Sequence, residues 1–204
     1  MSDASAEKTP LDWQARFEAD DTPWERLAVH PAVEYWVKSG HFSVGQSVYI
    51  PGCGRSLEPQ HLSQKDLVVT VSDIAPSAIA FQKERLAKTA AGQIQAIEAD
   101  GLSWRPDEPF DCLYEQTFLC AISPKLRAQY EQMAHDVIKP GGQLLALFMQ
   151  KEERGGPPYG CDLETMRELF GSERWIWPSD ADFPAFGHPG LNDKAEIAVA
   201  LERI

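Results

Sequence analysis

The chain has 204 residues, 43% of them hydrophobic, and it carries 31 acidic against 19 basic side chains for a net charge of −12. A chain of this length forms one domain of ordinary size and can bury roughly 70% of the surface that its unfolded form exposes, so it needs no disulfide or metal to fold. The acidic balance argues against nucleic acid and anionic membranes as partners, because both are bound through basic patches that neutralise phosphates.

Targeting and membrane-spanning segments are not recognisable in the sequence. No stretch approaches about 18 consecutive apolar residues, and residues 1–7 lack the basic start and apolar run of a secretory signal. The four cysteines have neither C-x-x-C spacing nor nearby histidine pairs: Cys53, Cys112, Cys120 and Cys161. We therefore expect a soluble, cytoplasmic monomer with buried free thiols and no metal site.

The first 45 residues differ in composition from the rest, with many Trp, Asp and Glu residues and several prolines. A helix is predicted from Pro31, which suits a first helical position, to Gly40, which suits a C-terminal cap. Three more aromatic side chains could pack against an edge of the core: Trp13, Phe17 and Trp24. We expect residues 1–45 to form a helical capping segment and residues 46–204 to form the main domain.

From residue 47 onward, short apolar runs alternate with helical patterns, which is typical of β-α-β units and a parallel sheet. The predicted strands are residues 48–50, 67–71, 94–97, 110–114 and 143–149. The sequence predicts two more strands, with no helix between them, at residues 175–177 and 196–202. A hairpin that adds an antiparallel pair to the sheet is the simplest connection.

Helical patterns lie between and after these strands. One helix runs from Pro76 to about Ala91 and ends at Gly92. Ser123 and Asp162 are the predicted N-caps of two others. The residues predicted to face the core in these two helices are Leu126, Tyr130, Met133, Val137, Leu163, Met166 and Phe170.

The strongest indication of a binding site lies where the first predicted strand runs into a glycine turn and then a helical start. Gly52 and Gly54 let the backbone turn sharply and let a ligand approach main-chain atoms. Asp73 follows 19 residues after Gly54 at the end of an apolar run, where a carboxylate can accept hydrogen bonds from a ribose diol. The alternative is a pair of turn glycines and a loop aspartate without a ligand.

The class of nucleoside is indicated by what the loop lacks. A pyrophosphate-binding loop needs a third glycine where this chain has Leu57, and the Gly-Lys-Ser/Thr of a P-loop is absent. Asp100, after the third predicted strand, could accept a hydrogen bond from the exocyclic amine of adenine, or it could be a turn residue at the strand end. An adenosine bound by two acids without a phosphate contact suggests S-adenosylmethionine.

Five motifs follow one another in order between about Trp13 and Phe170: residues 51–57 (PGCGRSL), 72–78 (SDIAPSA), 110–124, 139–142 (KPGG) and 155–159 (GGPPY). Together they resemble the thiopurine S-methyltransferase family, most of all its plant halide/thiol methyltransferase branch. The resemblance implies a class I, Rossmann-like α/β fold with a mostly parallel seven-stranded sheet, an antiparallel C-terminal strand and helices on both faces. It also implies S-adenosylmethionine-dependent methyl transfer to a small soft nucleophile, namely a thiol, a heteroaromatic thiol or a halide.

The resemblance further implies which residues surround the cofactor. Gly52 belongs to the loop near the methionine end, Asp73 holds the ribose, and Asp100 borders the adenine. The aromatic residues of the N-terminal segment match three positions, commonly all Trp, through which that segment covers the cofactor; an aromatic face also attracts a sulfonium cation. The residues implied to contact the cofactor are Trp13, Phe17, Trp24, Gly52, Cys53, Gly54, Asp73, Ile74, Asp100, Gly101 and Gln116. Plain core packing is the alternative for Trp13 and Trp24.

Three residues on the loops after the fourth and fifth strands are candidates for the acceptor pocket, because ligands of open α/β sheets bind beyond the carboxyl ends of the strands. They are Gln116, Phe118 and Tyr159. Gln116 stands where the thiopurine branch carries Arg and the plant branch Tyr, so the acceptor stays open, and a surface turn is the alternative for Tyr159. Two other function classes also stay open: a nicotinamide-type Rossmann enzyme and a protein that binds S-adenosylmethionine without catalysis.

Overall fold

The computed structural model describes residues 11–87, 94–179 and 183–204. In these residues, six α-helices surround a sheet of eight strands. The helices are α1 (Trp13–Glu18), α2 (Pro31–Lys38), α3 (Glu58–Ser63), α4 (Pro76–Ala87), α5 (Arg127–Val137) and α6 (Leu163–Leu169). The strands are β1 (Ser47–Pro51), β2 (Val68–Asp73), β3 (Ile94–Glu98), β4 (Phe110–Glu115), β5 (Ile138–Met149), β6 (Trp175–Ile176), β7 (Ala185–His188) and β8 (Lys194–Arg203). In the same residues, no helix is long and apolar enough to cross a membrane.

The strands follow the order β3-β2-β1-β4-β5-β8-β6, and β1 to β5 run parallel to one another. One edge of β8 pairs antiparallel with β5, and its other edge is shared by β7 and β6, which are also antiparallel to it. This confirms the predicted α/β sheet, mostly parallel with an antiparallel C-terminal strand. In the described chain the sheet has eight strands rather than seven, because residues 185–188 form β7.

The prediction that residues 175–177 and 196–202 form a hairpin is wrong about which strand is joined directly to the last one. β6 does pair with β8, but the strand joined to β8 by a tight connection is β7. A short 3-10 turn (Pro189–Leu191) is followed by Asn192 and Asp193, which have φ angles of 56° and 52°. Asn and Asp tolerate this left-handed conformation. The chain therefore reverses direction within a few residues, in a segment that the sequence predicts to be part of a long loop.

Side chains of β1 alternate between two hydrophobic clusters, one on each face of the sheet. Val48 and Ile50 pack with residues of α2, α3 and α4, including Trp36. Tyr49 packs in the other cluster with residues of α5 and α6, including Tyr130. Because helices cover both faces, the central strands are apolar almost without interruption, which is the pattern of a buried parallel sheet.

The predicted helix starts agree with the structure. Pro31 is the first residue of α2, and the side chains of Ser123 and Asp162 each accept a hydrogen bond from a backbone N–H of the following turn. Ser123, however, starts a 3-10 turn that precedes α5. Leu126 lies in that turn and is 39% exposed, so its predicted inward position is wrong, because the tighter turn does not follow the α-helical period. The residues buried as predicted are Tyr130, Met133, Val137, Met166 and Phe170.

Two predicted element boundaries need comment. The predicted end of α4, at Ala91 and Gly92, lies outside the described residues. β5 begins at Ile138, whereas the sequence predicts a start at residue 143, because the pairing of β4 with β5 continues across an irregularity that takes up residues 139–142. α5 therefore leads directly into the sheet.

The carboxylate of Asp111 joins the beginnings of three strands. It accepts hydrogen bonds from the Ser47 backbone N at 2.8 Å, from Ser47 Oγ at 2.9 Å and from Lys139 Nζ at 2.8 Å. Burial alone would raise the pKa of Asp111, but these hydrogen bonds outweigh burial and lower it. The ionised form therefore stabilises the fold.

We expect Asp111→Asn to reduce the free energy of unfolding by about 1 kcal/mol at about pH 7. Because the folded-state pKa lies below the unfolded one, this stabilisation is present above the unfolded pKa and is lost as the pH falls through the folded pKa. Urea denaturation at about pH 7 and about pH 3 checks this, with the two proteins converging at the lower pH. Asp107→Asn, at an exposed residue nearby, is the control; an equal effect of the two substitutions would contradict the assignment.

Candidate active site

An open crevice lies at the carboxyl ends of β1, β2 and β4, between the sheet and the N-terminal segment. It contains about 1310 Å³ of space, part of it open to solvent. The predicted site residues that line it are Trp13, Phe17, Trp24, Gly52, Cys53, Gly54, Asp73, Ile74, Asp100, Gly101, Gln116 and Phe118. The fold thus brings the N-terminal segment together with the loops after β1, β2, β3 and β4, at the edge of the sheet where ligands of open α/β sheets bind.

The turn after β1 requires its two glycines. Gly52 and Gly54 have φ angles of +58° and +50°, which side-chain-bearing residues rarely adopt. A Cβ atom at Gly52 would lie 2.5 Å from Cδ2 of Phe118, and one at Gly54 would lie 3.3 Å from Cζ of Phe17. The turn is fastened to β2, since Cys53 N donates a hydrogen bond to Ser72 O at 3.0 Å. The turn held in this way lines the crevice.

Asp73 connects this turn to the end of β2. Its Oδ2 accepts a hydrogen bond from Gly54 N at 2.8 Å, and its Oδ1 accepts one from Ala75 N at 2.8 Å. Burial raises the pKa of Asp73, while these backbone hydrogen bonds oppose that shift. Each carboxylate oxygen has a second lone pair, so Asp73 can hold the turn and still accept hydrogen bonds from a ligand's hydroxyl groups.

The residues after β2 and β3 form the opposite wall of the crevice. Ile74 is 60% exposed, an unusual position for an isoleucine, and it lines the crevice. Asp100 accepts hydrogen bonds from Leu102 N at 2.9 Å and from Ser103 Oγ at 3.2 Å. It is therefore the turn residue that the sequence allowed, and it also lines the crevice next to Gly101.

The three predicted aromatic residues of the N-terminal segment form one cluster over the crevice. The ring of Trp24 meets those of Trp13 and Phe17 edge to face, with centroids 5.4 Å and 5.9 Å apart. Phe17 also packs with Ala75 and Ala78 at the start of α4. The cluster therefore packs against the body of the protein and also lines the crevice.

Arg55 fastens the N-terminal segment to the glycine turn. Its guanidinium forms ion pairs with Glu25 at 2.6 Å and with Asp20 at 2.8 Å, and it donates a hydrogen bond to Thr22 Oγ1 at 3.1 Å. The guanidinium also lies 5.6 Å from the ring centre of Phe17. This role of Arg55 is not predicted from the sequence, where the available signal is a single basic side chain in the turn and an acidic N-terminal segment.

The loop after β4 is held by a buried carboxylate, Glu115, whose role is likewise not predicted from the sequence. Glu115 is 1% exposed and accepts hydrogen bonds from the backbone N–H groups of Phe118 and Leu119, at 3.0 Å and 2.8 Å, and from Tyr130 Oη at 2.7 Å. Burial raises the pKa of Glu115 to about 7, although the three hydrogen bonds lower it. A charged residue at the end of an apolar strand was the available signal.

Of the three candidates for the acceptor pocket, Gln116 and Phe118 line the crevice. Among the described residues that line it, Pro157 and Pro158 represent the loop after β5, and Tyr159 is not included. The Tyr159 backbone N–H donates instead to Cys120 O at 2.7 Å. Tyr159 therefore follows the two prolines that line the crevice, and its role in the acceptor pocket stays a prediction. Among all the residues that the structure describes, no group of His, Cys, Asp and Glu side chains is arranged to hold a metal ion.

Comparison with known proteins places this geometry in a family. The family described as "Thiopurine S-methyltransferase (TPMT)" matches residues 8–183. Thiocyanate methyltransferase 1 of Arabidopsis thaliana is 28% identical over 159 residues, which are 77% of this chain and 70% of that protein. Probable thiol methyltransferase 2 of the same plant is 31% identical over 149 residues, which are 72% of this chain and 66% of that protein.

The fold is shared with solved methyltransferases. The structure of magnesium protoporphyrin IX methyltransferase from Synechocystis PCC 6803 with bound SAH matches with a TM-score of 0.70 and 14% identity. The match covers 92% of this chain and 94% of that one. At this level of identity the likeness concerns the fold alone.

Glu115 generates a prediction about stability and pH. Because its folded-state pKa of about 7 lies above the unfolded value, the carboxyl group stabilises the fold below the unfolded pKa, and this contribution is lost as the pH rises through about 7. Glu115→Gln keeps an oxygen for the two backbone N–H groups but cannot ionise. Between about pH 5 and about pH 8 the wild type should therefore lose stability that Glu115→Gln keeps. We expect the free energy of unfolding of Glu115→Gln, relative to that of the wild type, to rise by on the order of 3 kcal/mol over this range.

Thermal or urea unfolding across this pH range measures the effect. Glu108→Gln is the matched control, since Glu108 is exposed. If the difference in unfolding free energy between the wild type and Glu115→Gln does not change with pH, the Glu115 carboxyl does not titrate as its burial requires.

Proposed function

This chain belongs to the thiopurine S-methyltransferase family, and we propose that its crevice binds S-adenosylmethionine and presents the methyl group to the sulfur of a small thiol. The observation that carries this proposal is the juxtaposition of the Gly52–Gly54 turn with the carboxylates of Asp73 and Asp100 under an aromatic cluster. This set of groups suits an adenosine without phosphates.

The described residues fit such a cofactor part by part. The turn at Gly52 and Gly54 lines the crevice, and a Cβ at either position would crowd the ring of Phe118 or Phe17 that also lines it. Asp73 has free lone pairs for the ribose hydroxyls, and the exposed face of Ile74 offers an apolar surface for the adenine ring. Asp100, although engaged in its own turn, retains acceptor capacity toward the adenine amine.

The chain's contribution to methyl transfer is positioning and exclusion of water. When bound, S-adenosylmethionine supplies a methyl group already activated by a sulfonium. The residues need only hold a nucleophile in line with it, and in model reactions such positioning accounts for up to roughly 7–11 kcal/mol of the barrier. Trp13 and Trp24 cover the crevice from the N-terminal side, where aromatic faces attract a cation and keep water away.

A thiol-type acceptor is favoured over one that needs a strong base. Among the described residues that line the crevice there is no histidine. His30 is instead buried against Glu196 at 3.1 Å, and His188 lies 3.1 Å from Trp24 O. A thiolate attacks without further activation, which agrees with the thiocyanate and thiol methyltransferase relatives.

Several broader properties belong to the same proposal. We infer a cytoplasmic protein, because all four cysteines are buried and free, as is common in a reducing compartment. A net charge of −12 disfavours a nucleic-acid partner. We also infer a monomer, and a division into residues 1–45, which cover the crevice, and residues 46–204, which form the methyltransferase domain.

Calorimetry with S-adenosylhomocysteine and NAD, followed by a methyl-transfer assay on benzenethiol, hydrosulfide, thiocyanate and iodide, tests the proposed function. We expect S-adenosylhomocysteine to bind and NAD not to, and we expect turnover of at least one sulfur acceptor. Binding of NAD alone would favour the nicotinamide alternative. Binding of S-adenosylhomocysteine without turnover of any acceptor would favour a non-catalytic binding protein.

The adenine surface can be tested separately at Ile74. Ile74→Ala removes roughly 1 kcal/mol of apolar contact with a bound adenine, so we expect about a fivefold weaker affinity for S-adenosylhomocysteine by calorimetry. The melting temperature should change little, because Ile74 is 60% exposed. Val68→Ala is the matched control, since Val68 is an apolar residue, 37% exposed, at the start of β2, the strand that Ile74 follows. Unchanged affinity of Ile74→Ala would remove the assignment.

A further inference from the structure

The connection between β7 and β8 packs against the backbone of the N-terminal segment where that segment covers the crevice. His188 is fully buried, and its Nε2 donates a hydrogen bond to Trp24 O at 3.1 Å. Gly190 lies so close to Pro23 O that a Cβ atom on this glycine would overlap with that oxygen. Leu191, in the same connection, lines the crevice together with Pro23 and Trp24. The hairpin of β7 and β8 is therefore in direct contact with the cover of the crevice.

A buried carboxylate of β8 makes a second contact with the same segment. Glu196 is fully buried, and its Oε2 accepts a hydrogen bond from His30 Nε2 at 3.1 Å. The other ring nitrogen of His30 accepts from Ala32 N at 3.0 Å, which leaves the ring proton on Nε2. Arg26 Nη1 lies 3.7 Å from Glu196 Oε2 and donates to Gly187 O at 3.2 Å. The hairpin thus holds the segment at Arg26 and again at His30.

The residues between these two contacts have little apolar packing of their own. Leu27 is fully exposed, Ala28 is exposed, and Val29 is partly buried. Burial of apolar surface therefore contributes little to the course of the backbone in this stretch. The polar contacts with the hairpin determine where the backbone runs.

We propose that the β7–β8 hairpin positions Trp24 over the crevice and that Glu196 and Gly190 are the positioning residues. The hairpin holds the backbone of Trp24 through His188, while the ring of Trp24 belongs to the aromatic cluster that lines the crevice. A displaced hairpin contact therefore moves the ring that covers a bound nucleoside. Because covering elements often set the rate of ligand release, the hairpin determines how slowly S-adenosylhomocysteine dissociates. This inference rests on the proposed function.

Gly190→Ala tests the positioning of the cover directly. Gly190 is exposed and its φ angle lies outside the left-handed region, so alanine can adopt the same backbone conformation. The added methyl group must push the hairpin and Pro23 apart. We expect the dissociation rate of S-adenosylhomocysteine, followed by stopped-flow tryptophan fluorescence, to rise about tenfold and the association rate to change little.

Gly187→Ala is the matched control in the same hairpin. A Cβ atom at Gly187 would lie 3.7 Å from Asp193 O, which is an ordinary contact, and the carbonyl that accepts from Arg26 stays in place. The dissociation rate of this variant should equal that of the wild type. An unchanged rate in Gly190→Ala, or an equal increase in both variants, would overturn the proposal.

Glu196→Gln tests the second contact with a smaller change. The amide oxygen can still accept from His30, but the charge opposite Arg26 is gone. We expect about a threefold faster dissociation of S-adenosylhomocysteine and a similar rise in KM for S-adenosylmethionine, without a fall in kcat, because the sheet side of the crevice is unchanged. Glu202→Gln, at an exposed residue of the same strand, is the control. A fall in kcat with unchanged KM would contradict a role through the cover.

Hydrogen exchange of the wild-type protein tests the same coupling without a substitution. We expect bound S-adenosylhomocysteine to slow amide exchange in residues 22–30 and also in residues 185–190, which the structure describes and which do not line the crevice. Protection confined to residues 22–30 would overturn the proposal. If S-adenosylhomocysteine does not bind the wild type, the proposed function fails. If it binds and the hairpin does not respond, the function stands and the positioning by the hairpin fails.

Discussion

The carboxylate of Asp73 is the contact on which the geometry of the crevice depends. Its two oxygens accept hydrogen bonds from Gly54 N and Ala75 N, and so they join the turn after β1 to the turn after β2. Parallel strands place their carboxyl ends side by side but do not fix the loops that follow. A buried carboxylate that accepts from two backbone N–H groups supplies this constraint, because each N–H would otherwise be unsatisfied away from water. The ribose-binding role proposed for Asp73 thus coincides with a structural one.

The same arrangement recurs two strands away in the sheet, on the other side of β1. Glu115 ends β4 and fixes its loop by accepting from Phe118 N and Leu119 N. The ring of Phe118 then lies against Gly52 and Gly101, so the loops after β1, β3 and β4 contact one another through one aromatic side chain. Neither glycine has room for a side chain without displacing this ring. The crevice therefore has a rigid floor, while its cover is the N-terminal aromatic cluster fastened by Arg55.

The sequence predicts those parts of this arrangement that depend on local pattern. Apolar runs of strand length locate Asp73 and Asp100 at strand ends, and the caps Ser123 and Asp162 mark helix starts, because each signal lies within a few residues. The six-residue helices α1 and α3 and the strand β7 have too few residues for a clear period. The ion pair of Arg55 with Glu25 spans 30 residues, and it becomes visible only once the chain is folded. For Tyr159, the sequence motif identifies the correct loop. Only the folded backbone shows that the two prolines before Tyr159 line the crevice.

The charges of the proposed reaction explain why an aromatic cover suits this crevice. The reaction of a thiolate with a sulfonium cancels two opposite charges, so the transition state is less polar than the separated reactants. Surroundings that exclude water therefore favour the transition state over the charged reactants. The rings of Trp13, Phe17 and Trp24 meet edge to face over the crevice and supply such surroundings. Because the N-terminal segment that carries these rings is fastened to the glycine turn by Arg55, the exclusion of water depends on the same ion pairs that hold the segment in place.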